Sequence, residues 1–352
     1  MVTSSASADR QDLHRPDLHR QDIHRQDVPG TTALPVGPGL ATIRLGGAPV
    51  PAVLADGFVL PLAAAARRVG AGGTVPASVR EALADWDRWS SVVRQVADQV
   101  AAGDVGGPDW LAEADVAFLP ALADPPTVYC AAANYQDHAQ EMRAKVDRKA
   151  ESPLFFLVPP ASLAGHRQEV VRPEGVERLD WEVELAVVIG REAYQVNAAD
   201  AETVIAGYTV ANDLSLRDFA RRDDTPFFPD WLAMKSYTGC MPLGPAIVPA
   251  AFVPDPMNLD LSLSVNGEQR QGSNTKNMIF SIAEQIAYLS RIVALQPGDL
   301  VLTGTPAGTG NAWDLYLSPD DVVVAEVEGL GRLETRIAAA AVAVPEGNGR
   351  AR

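Results

Sequence analysis

The chain has 352 residues, 47% hydrophobic and 21% charged, with a formal net charge of −16 at pH 7. That length suits one large domain or two unequal ones, and the composition excludes wholesale disorder. The charge disfavours nucleic acid and anionic membranes as partners, and no run of ~18 uninterrupted apolar residues offers a membrane span.

The N-terminus is polar and charged, unlike a secretory signal. Residues 9–30, DRQDLHRPDLHRQDIHRQDVPG, repeat every five residues. Five residues turn a helix by ~500°, so equivalent positions drift around it and build no sustained apolar face. A disordered tail over 1–38 is expected, with a weak metal site at His14, His19 and His24 as the alternative. From Ala41 to about Leu62, short apolar runs punctuated by GG, ADG and Pro predict a small antiparallel unit. Ser78 can cap a helix on which Leu83, Trp86, Ser90, Val93, Val96 and Val100 recur at helical spacing, until AGDVGGPDW breaks it. The Pro pair of LADPPTVYC marks a boundary at about residue 124, giving a small N-terminal domain over 39–124, a main domain over 125–345 and a flexible C-terminus over 346–352. Cys130, in this apolar run, reads as a buried structural thiol. It and Cys240 are the chain's two cysteines, too few for a disulfide framework or a four-thiolate zinc site, and a reduced cytoplasm fits them best.

Beyond the boundary, strand signals dominate: EVELAVVIG, VIAGYTVA, LGPAIVP, LDLSLSVNGE, DLVLTGTP and DVVVAEVEGLG, separated by Gly, Pro and Asn turns. One helix interrupts them, SIAEQIAYLSRIVAL, with Ile282, Ile286, Leu289 and Val293 along one face. This pattern predicts a β-rich α+β fold, a mixed sandwich or roll rather than a doubly wound sheet.

In LDWEVELAVVIG, residues 179–190, Asp180, Glu182 and Glu184 fall at every second position of an otherwise apolar run. Alternate residues of a strand share a face, and i and i+2 stand ~7 Å apart. Ala186 and Val188 continue that face, so it is not simply a wet exterior, and buried carboxylates repel unless protonated or bridged by a cation. A third acid, Asp213, ends the apolar strand of GYTVANDLSLRD; its alternative role is a helix N-cap. Three carboxylates without nearby Cys or His favour a hard ion, Mg²⁺ or Mn²⁺ over Zn²⁺. In HAQE, His138 and Glu141 lie at i and i+3 on one helix side, where the acid can orient the imidazole for proton transfer; a solvated polar face is the alternative. Lys235 stands in the apolar WLAMKSYTG, where an outward-pointing Lys is the ordinary reading.

Six motifs in order, NYQDHAQE, DWEVELAVVIG, GYTVANDLSLRD, KSYTGCMPLGP, VNGEQRQ and LTGTPAGTG, make residues 127–337 resemble the fumarylacetoacetate hydrolase family. The segment before them is similar to the N-terminal domain that many members carry. The resemblance implies Glu182, Glu184 and Asp213 as ligands of Mg²⁺ or Mn²⁺, and His138 and Glu141 as a dyad on a lid. It implies Lys235 as a positive charge in the site, and Tyr135, Arg217 and Thr305 as substrate contacts. Thr305 would donate its hydroxyl or backbone N–H, and Arg217 would grip a carboxylate unless it serves in a structural salt bridge. A homodimer is implied as well.

Two positions depart from the family pattern: Val158 stands where many members have Lys, and Ala220 where some have Gln. Both changes are expected to leave apolar surface and so to suit a bulkier or less charged substrate than a small diacid. The reading is a metal-dependent hydrolase cleaving a carbon–carbon bond in a 1,3-dicarbonyl or 2-oxo acid compound with an enolisable carbonyl. Decarboxylation and keto–enol isomerisation are alternatives on the same machinery. A non-catalytic metal-binding scaffold is the alternative of another class.

Overall fold

The structure, a computed structural model, describes residues 37–340 except 143–145, 147, 149, 223 and 225–228. Residues 1–36 of the expected tail, with His14, His19 and His24, and the stretch 346–352 lie outside the described residues; Gly37, at the end of that expected tail, donates its N–H to the Gly329 carbonyl at 2.9 Å.

Three strands open the described chain: β1 (Gly39–Leu45), β2 (Ala48–Ala55) and β3 (Phe58–Pro61). Two-residue turns join them, Gly46-Gly47 and Asp56-Gly57, all four residues at positive φ. Such turns match the strand twist, which is why GG and DG punctuate this stretch. The helix α1 (Trp86–Ala101) follows, burying Trp89, Val92, Val93, Val96 and Val100 along one side. Next come β4 (Val128–Ala132), the six-residue helix α2 (Gln136–Glu141), β5 (Leu154–Val158) and β6 (Glu169–Arg172). The central pair is β7 (Val183–Ile189) and β8 (Ile205–Asn212), followed by the short helix α3 (Trp231–Lys235) and β9 (Met241–Pro249). The hairpin β10 (Asp260–Val265) and β11 (Glu268–Asn274) precedes α4 (Ile282–Ile292), whose start carries a capping box of Ser281 and Glu284. Last are β12 (Leu300–Leu302), β13 (Val322–Val327) and β14 (Gly331–Ala339).

These strands form two main sheets. The larger runs β3-β2-β1-β9-β8-β7-β12-β4-β5, and the smaller runs β11-β10-β13-β14-β6. Both are mixed, since β12 pairs with β4 and β14 with β6 in parallel while the other main pairs are antiparallel. The strands of 39–61 join the same sheet as the central pair through β1 and β9, where Leu40 lies opposite Ile247.

The alternation of β7 shows how the layers stack. Leu185, Val187 and Ile189 pack with Leu261, Leu263, Val323 and Ala325 of the smaller sheet. Ala186 and Val188 face the other way, into the apolar cluster that also holds Val92, Val93 and Val96 of α1. All seven residues of β7 are buried, which is why the strand reads as a nearly continuous apolar run rather than a polar–apolar alternation. The acids at its start therefore lie at the edge of two apolar layers, not on a solvated face.

Candidate metal centre and catalytic dyad

Antiparallel pairing brings the acids together. Val183 at the start of β7 lies opposite Asn212 at the end of β8, so Glu182 and Asp213 each stand one residue beyond paired strand ends. The Asp213 N–H donates to the Glu182 carbonyl at 2.9 Å. One carboxylate oxygen from each of Glu182, Glu184 and Asp213 falls within 4.8 Å of the others, and all three residues are buried. Asp180 leaves this face. The strand is interrupted at Trp181 and Glu182, and Leu179–Asp180 pairs separately with Ser215–Leu216. Two side chains take over the backbone there: Asn212 Oδ1 accepts from the Glu182 N–H and Gln271 Oε1 from the Val183 N–H, each at 2.9 Å.

Lys235 is not outward. Near the end of α3 it is 3% exposed, and its Nζ donates to Glu182 Oε2 at 2.7 Å and Asp213 Oδ2 at 2.8 Å. Arg217 donates to Glu182 Oε1 at 2.6 Å and to Asp180 Oδ2 at 2.9 Å. The Ser215 hydroxyl adds a third bond to Glu182, 2.8 Å from Oε1. Burial works to raise the Glu182 carboxyl, but Lys235 and Arg217 outweigh it and hold the group at about 2. Asp213 is pushed up to about 6, by burial first and against the pull of Lys235. Glu184 is pushed well above the usual carboxylate range by burial and by the Asp213 and Glu182 charges. It accepts the Gly304 N–H at 2.7 Å.

A divalent cation fits this donor set. Asp213 Oδ1 is buried without a hydrogen-bond partner among the described residues, an omission that calls for an explanation in a folded core. Three buried carboxylates this close disfavour full ionisation, as the raised Glu184 and Asp213 record, and a cation would relieve it. The donors are hard oxygens. The Cys130 thiol is pushed well up by burial and by Asp213 and Glu184, so it stays neutral.

The helix α2 carries the other half of the site. His138 is buried, and its Nδ1 lies 2.9 Å from Glu141 Oε2. Glu141 also accepts the Gly308 N–H on Oε1 at 2.9 Å and the Thr309 hydroxyl on Oε2 at 3.1 Å. Burial opposes its ionisation, but the His138 bond and the Gly308 N–H overcome that and lower its carboxyl. His138 is close enough to the triad to act electrostatically on Glu182. The other described histidine, His166, accepts the Glu334 N–H at 3.1 Å. Burial, with Arg167 and Arg332, pushes it down to about 3, so it is a neutral core group.

Residues 127–338 match the model of the Fumarylacetoacetate (FAA) hydrolase C-terminal family. The chain belongs to the fumarylacetoacetate hydrolase family. Over 211 residues it is 44% identical to the 4-hydroxyphenylacetate degradation bifunctional isomerase/decarboxylase of Escherichia coli, covering 60% of this chain and 46% of that enzyme. The chain thus spans less than half the length of that relative. It is 39% identical over 229 residues to the mitochondrial oxaloacetate tautomerase FAHD2A of Homo sapiens, covering 64% and 71% of the two chains. Among solved structures, a fumarylacetoacetate hydrolase from Exiguobacterium antarcticum superposes with a TM-score of 0.67 at 26% identity, covering 86% of this chain and 100% of that one. Fumarylpyruvate hydrolase from Pseudomonas aeruginosa, in complex with Mn²⁺ and pyruvate, superposes at 0.56 with 32% identity, covering 63% and 92%. These relatives are named as enzymes.

Against that family background, the expected substrate contacts are largely turned inward. The Thr305 hydroxyl donates to the Val183 carbonyl and accepts from Gln271 Nε2, both at 2.9 Å, so its proton is not available to a substrate oxygen. Arg217 is committed to Asp180 and Glu182, the salt-bridge alternative rather than the open grip. Tyr135 is fully buried, its hydroxyl without a partner among the described residues and pushed well up by burial and Glu184. Val158 does not leave apolar surface in the site, because it is 3% exposed and packs in the layer beneath α1. Asp180, open in the sequence between a place behind the ligands and an exposed one, is buried and anchors Arg217; sequence reasoning missed Thr309 as a partner of Glu141 and Gln271, which braces Val183 and Thr305. The signals available were the closing Gln of VNGEQRQ for Gln271 and the second Thr-Gly of LTGTPAGTG for Thr309.

Proposed function

We infer that the chain is a Mg²⁺- or Mn²⁺-dependent enzyme that hydrolyses a carbon–carbon bond in a small 1,3-dicarbonyl or 2-oxo acid compound with an enolisable carbonyl. The observation that carries this reading is the buried Glu182–Glu184–Asp213 cluster, with an unpartnered oxygen on Asp213, beside a histidine held by Glu141. A divalent cation held by those three side chains would supply Lewis acidity to two substrate oxygens.

The chain's own groups account for the proton traffic. With Nδ1–H donated to Glu141, Nε2 of His138 is the basic nitrogen, positioned to take a proton from water attacking the carbonyl. Glu141 stabilises the resulting imidazolium, which returns the proton to the departing carbon. Burial opposes the Lys235 ammonium, and Asp213 and Glu182 overcome that, so a positive charge stands by where enolate charge develops. A second reading, proton transfer without water attack, is favoured by the relatives named as isomerase/decarboxylase and tautomerase.

A homodimer belongs to this proposal; edge strand β5 exposes Leu154 and Leu157 as apolar surface for such a contact. So does a reduced cytoplasmic setting, supported by two free buried cysteines. Among the described residues no helix is long and apolar enough to cross a membrane. The test is a Mn²⁺-loaded screen across diketones and 2-oxo acids read by mass spectrometry, with Mn²⁺ binding followed separately by electron paramagnetic resonance. Hydrolysis, CO₂ loss and isomerisation give different masses or isotope patterns; full turnover in chelator would refute the metal reading.

A further inference from the structure

The loop 304–311 reaches three carboxylates of the site. Gly304 N–H donates to Glu184 Oε2 at one end. In the middle, Gly308 N–H and the Thr309 hydroxyl hold the two oxygens of Glu141. At the far end Gly310 and Asn311 N–H donate to the two oxygens of Asp180 at 2.6 and 3.1 Å. Asp180 in turn accepts from Arg217, whose guanidinium also bonds Glu182. The path therefore leaves the triad at Glu184 and returns to it at Glu182.

The loop has little room to move. A Cβ on Gly308 would lie 2.2 Å from the Arg270 carbonyl oxygen, and one on Gly310 would lie 2.1 Å from that of Leu315. The Pro306 carbonyl accepts from Gln271 Nε2 at 2.8 Å and the Gly308 carbonyl from Trp181 Nε1 at 3.0 Å. The Thr309 bond falls on Glu141 Oε2, the same oxygen that faces His138 Nδ1. It therefore sets the direction from which the imidazole is held.

We propose that the 304–311 loop is a brace that fixes the His138–Glu141 pair against the acidic triad, with Thr309 and Asp180 as its positioning residues. The proposal rests on the reading of the site given above. Thr309 acts on His138 through Glu141, and Asp180 acts on Glu182 through Arg217.

Thr309→Val keeps the shape of a side chain that is 2% exposed and deletes its bond to Glu141; Thr309→Ser restores the hydroxyl. The readout is the His138 Nδ1–H proton by NMR, with the buried His166 as internal control. The valine variant is expected to shift or broaden the His138 signal and leave that of His166 in place. The serine variant is expected to recover the wild-type signal. Mn²⁺ affinity in the valine variant should stay within about twofold, as for sites with no shared partner. An unmoved His138 signal, or serine no better than valine, overturns the proposal. Asp180→Asn should weaken Mn²⁺ binding by ~10–100-fold, the usual effect of a lost partner behind a metal ligand. Unchanged affinity in a folded Asp180→Asn chain also overturns it, and the Thr309 pair decides the matter if that chain does not fold. A wild-type chain that binds no Mn²⁺ sinks the metal reading and leaves the His138 signal free to decide the brace.

Discussion

Lys235 occupies an unusual place: its ammonium bridges two of the three candidate ligands, at 2.7 Å from Glu182 and 2.8 Å from Asp213. Lys235→Met keeps most of the side-chain volume and removes the charge. In the metal-free protein this leaves Glu182 and Asp213 buried with one cation fewer, and breaking one partner of a buried pair costs about 3–5 kcal/mol. At ~2–4 °C per kcal/mol, the melting temperature in chelator should fall by roughly 6–20 °C. Mn²⁺ takes over the missing charge in the variant, whereas in the wild type it must share these carboxylates with the ammonium. The variant should therefore gain more from Mn²⁺ than the wild type does. A ligand at ~1,000 times its dissociation constant contributes about 4 kcal/mol, enough to recover most of the loss. The assay is a pair of melts, in chelator and in excess Mn²⁺, on both chains. A working pH of 8 stands above the Asp213 carboxyl of the wild type, at about 6; removing Lys235 pushes that carboxyl further up, so the melts are run at several pH values from 8 upward and the deficit in chelator should widen with pH. The reasoning fails if the variant melts with the wild type in chelator, or if Mn²⁺ raises both chains equally.

Glu184 lies against a backbone N–H while burial and its acidic neighbours push its carboxyl up. Glu184→Gln should therefore leave the metal-free protein as stable as the wild type or more so, while weakening Mn²⁺ binding by at least the ~10–100-fold of a lost outer partner; calorimetry with Mn²⁺ reads both. The Asp213 carboxyl is pushed up to about 6 from an ordinary 3.8, so its contribution to metal-free stability is present below about 4 and lost as pH rises through 6. Glu182, lowered from 4.5 to about 2, works the other way: its contribution is present above the unfolded value and lost as pH falls through about 2. Denaturant melts in chelator should show the first decline between pH 4 and 6, and excess Mn²⁺ should reverse it, because the metal binds the deprotonated carboxylates. A Mn²⁺ affinity independent of pH across that window would contradict the assignment. Gly308→Ala places a Cβ 2.2 Å from a backbone oxygen at φ +101°, so it should cost ~1–3 kcal/mol or more and disturb the His138 signal; a neutral substitution would show that the loop yields.

The acidic cluster and the His138–Glu141 pair were legible because their signals are local. Acids at i and i+2 of an apolar strand, an acid ending the next strand, and a His–Glu pair at i and i+3 each need only one element's geometry. The sandwich was legible for the same reason, from runs of alternating and continuous apolar residues cut by Gly and Asn turns. What the pattern could not supply is direction. Asp180 shares the alternation of Glu182 and Glu184, yet the strand breaks between them, because Asn212 and Gln271 capture the Glu182 and Val183 N–H groups. Gln271 is 88 residues away from the bond it makes. Thr305 was read as facing a substrate, and Arg217 as gripping a carboxylate or making a structural salt bridge, because polar side chains in a family motif suggest an open pocket. In the structure both satisfy buried groups, Arg217 through the salt bridge that was its alternative reading, and a buried carboxylate or carbonyl left unpaired costs more than a substrate contact returns in the free protein. Glu141 makes the same point: His138 was visible beside it, but Gly308 and Thr309 come from 167 and 168 positions further along the chain. Identity in this site is a local property. Orientation belongs to contacts that exist only once the two sheets have closed on each other, and that is where the loop 304–311 acts.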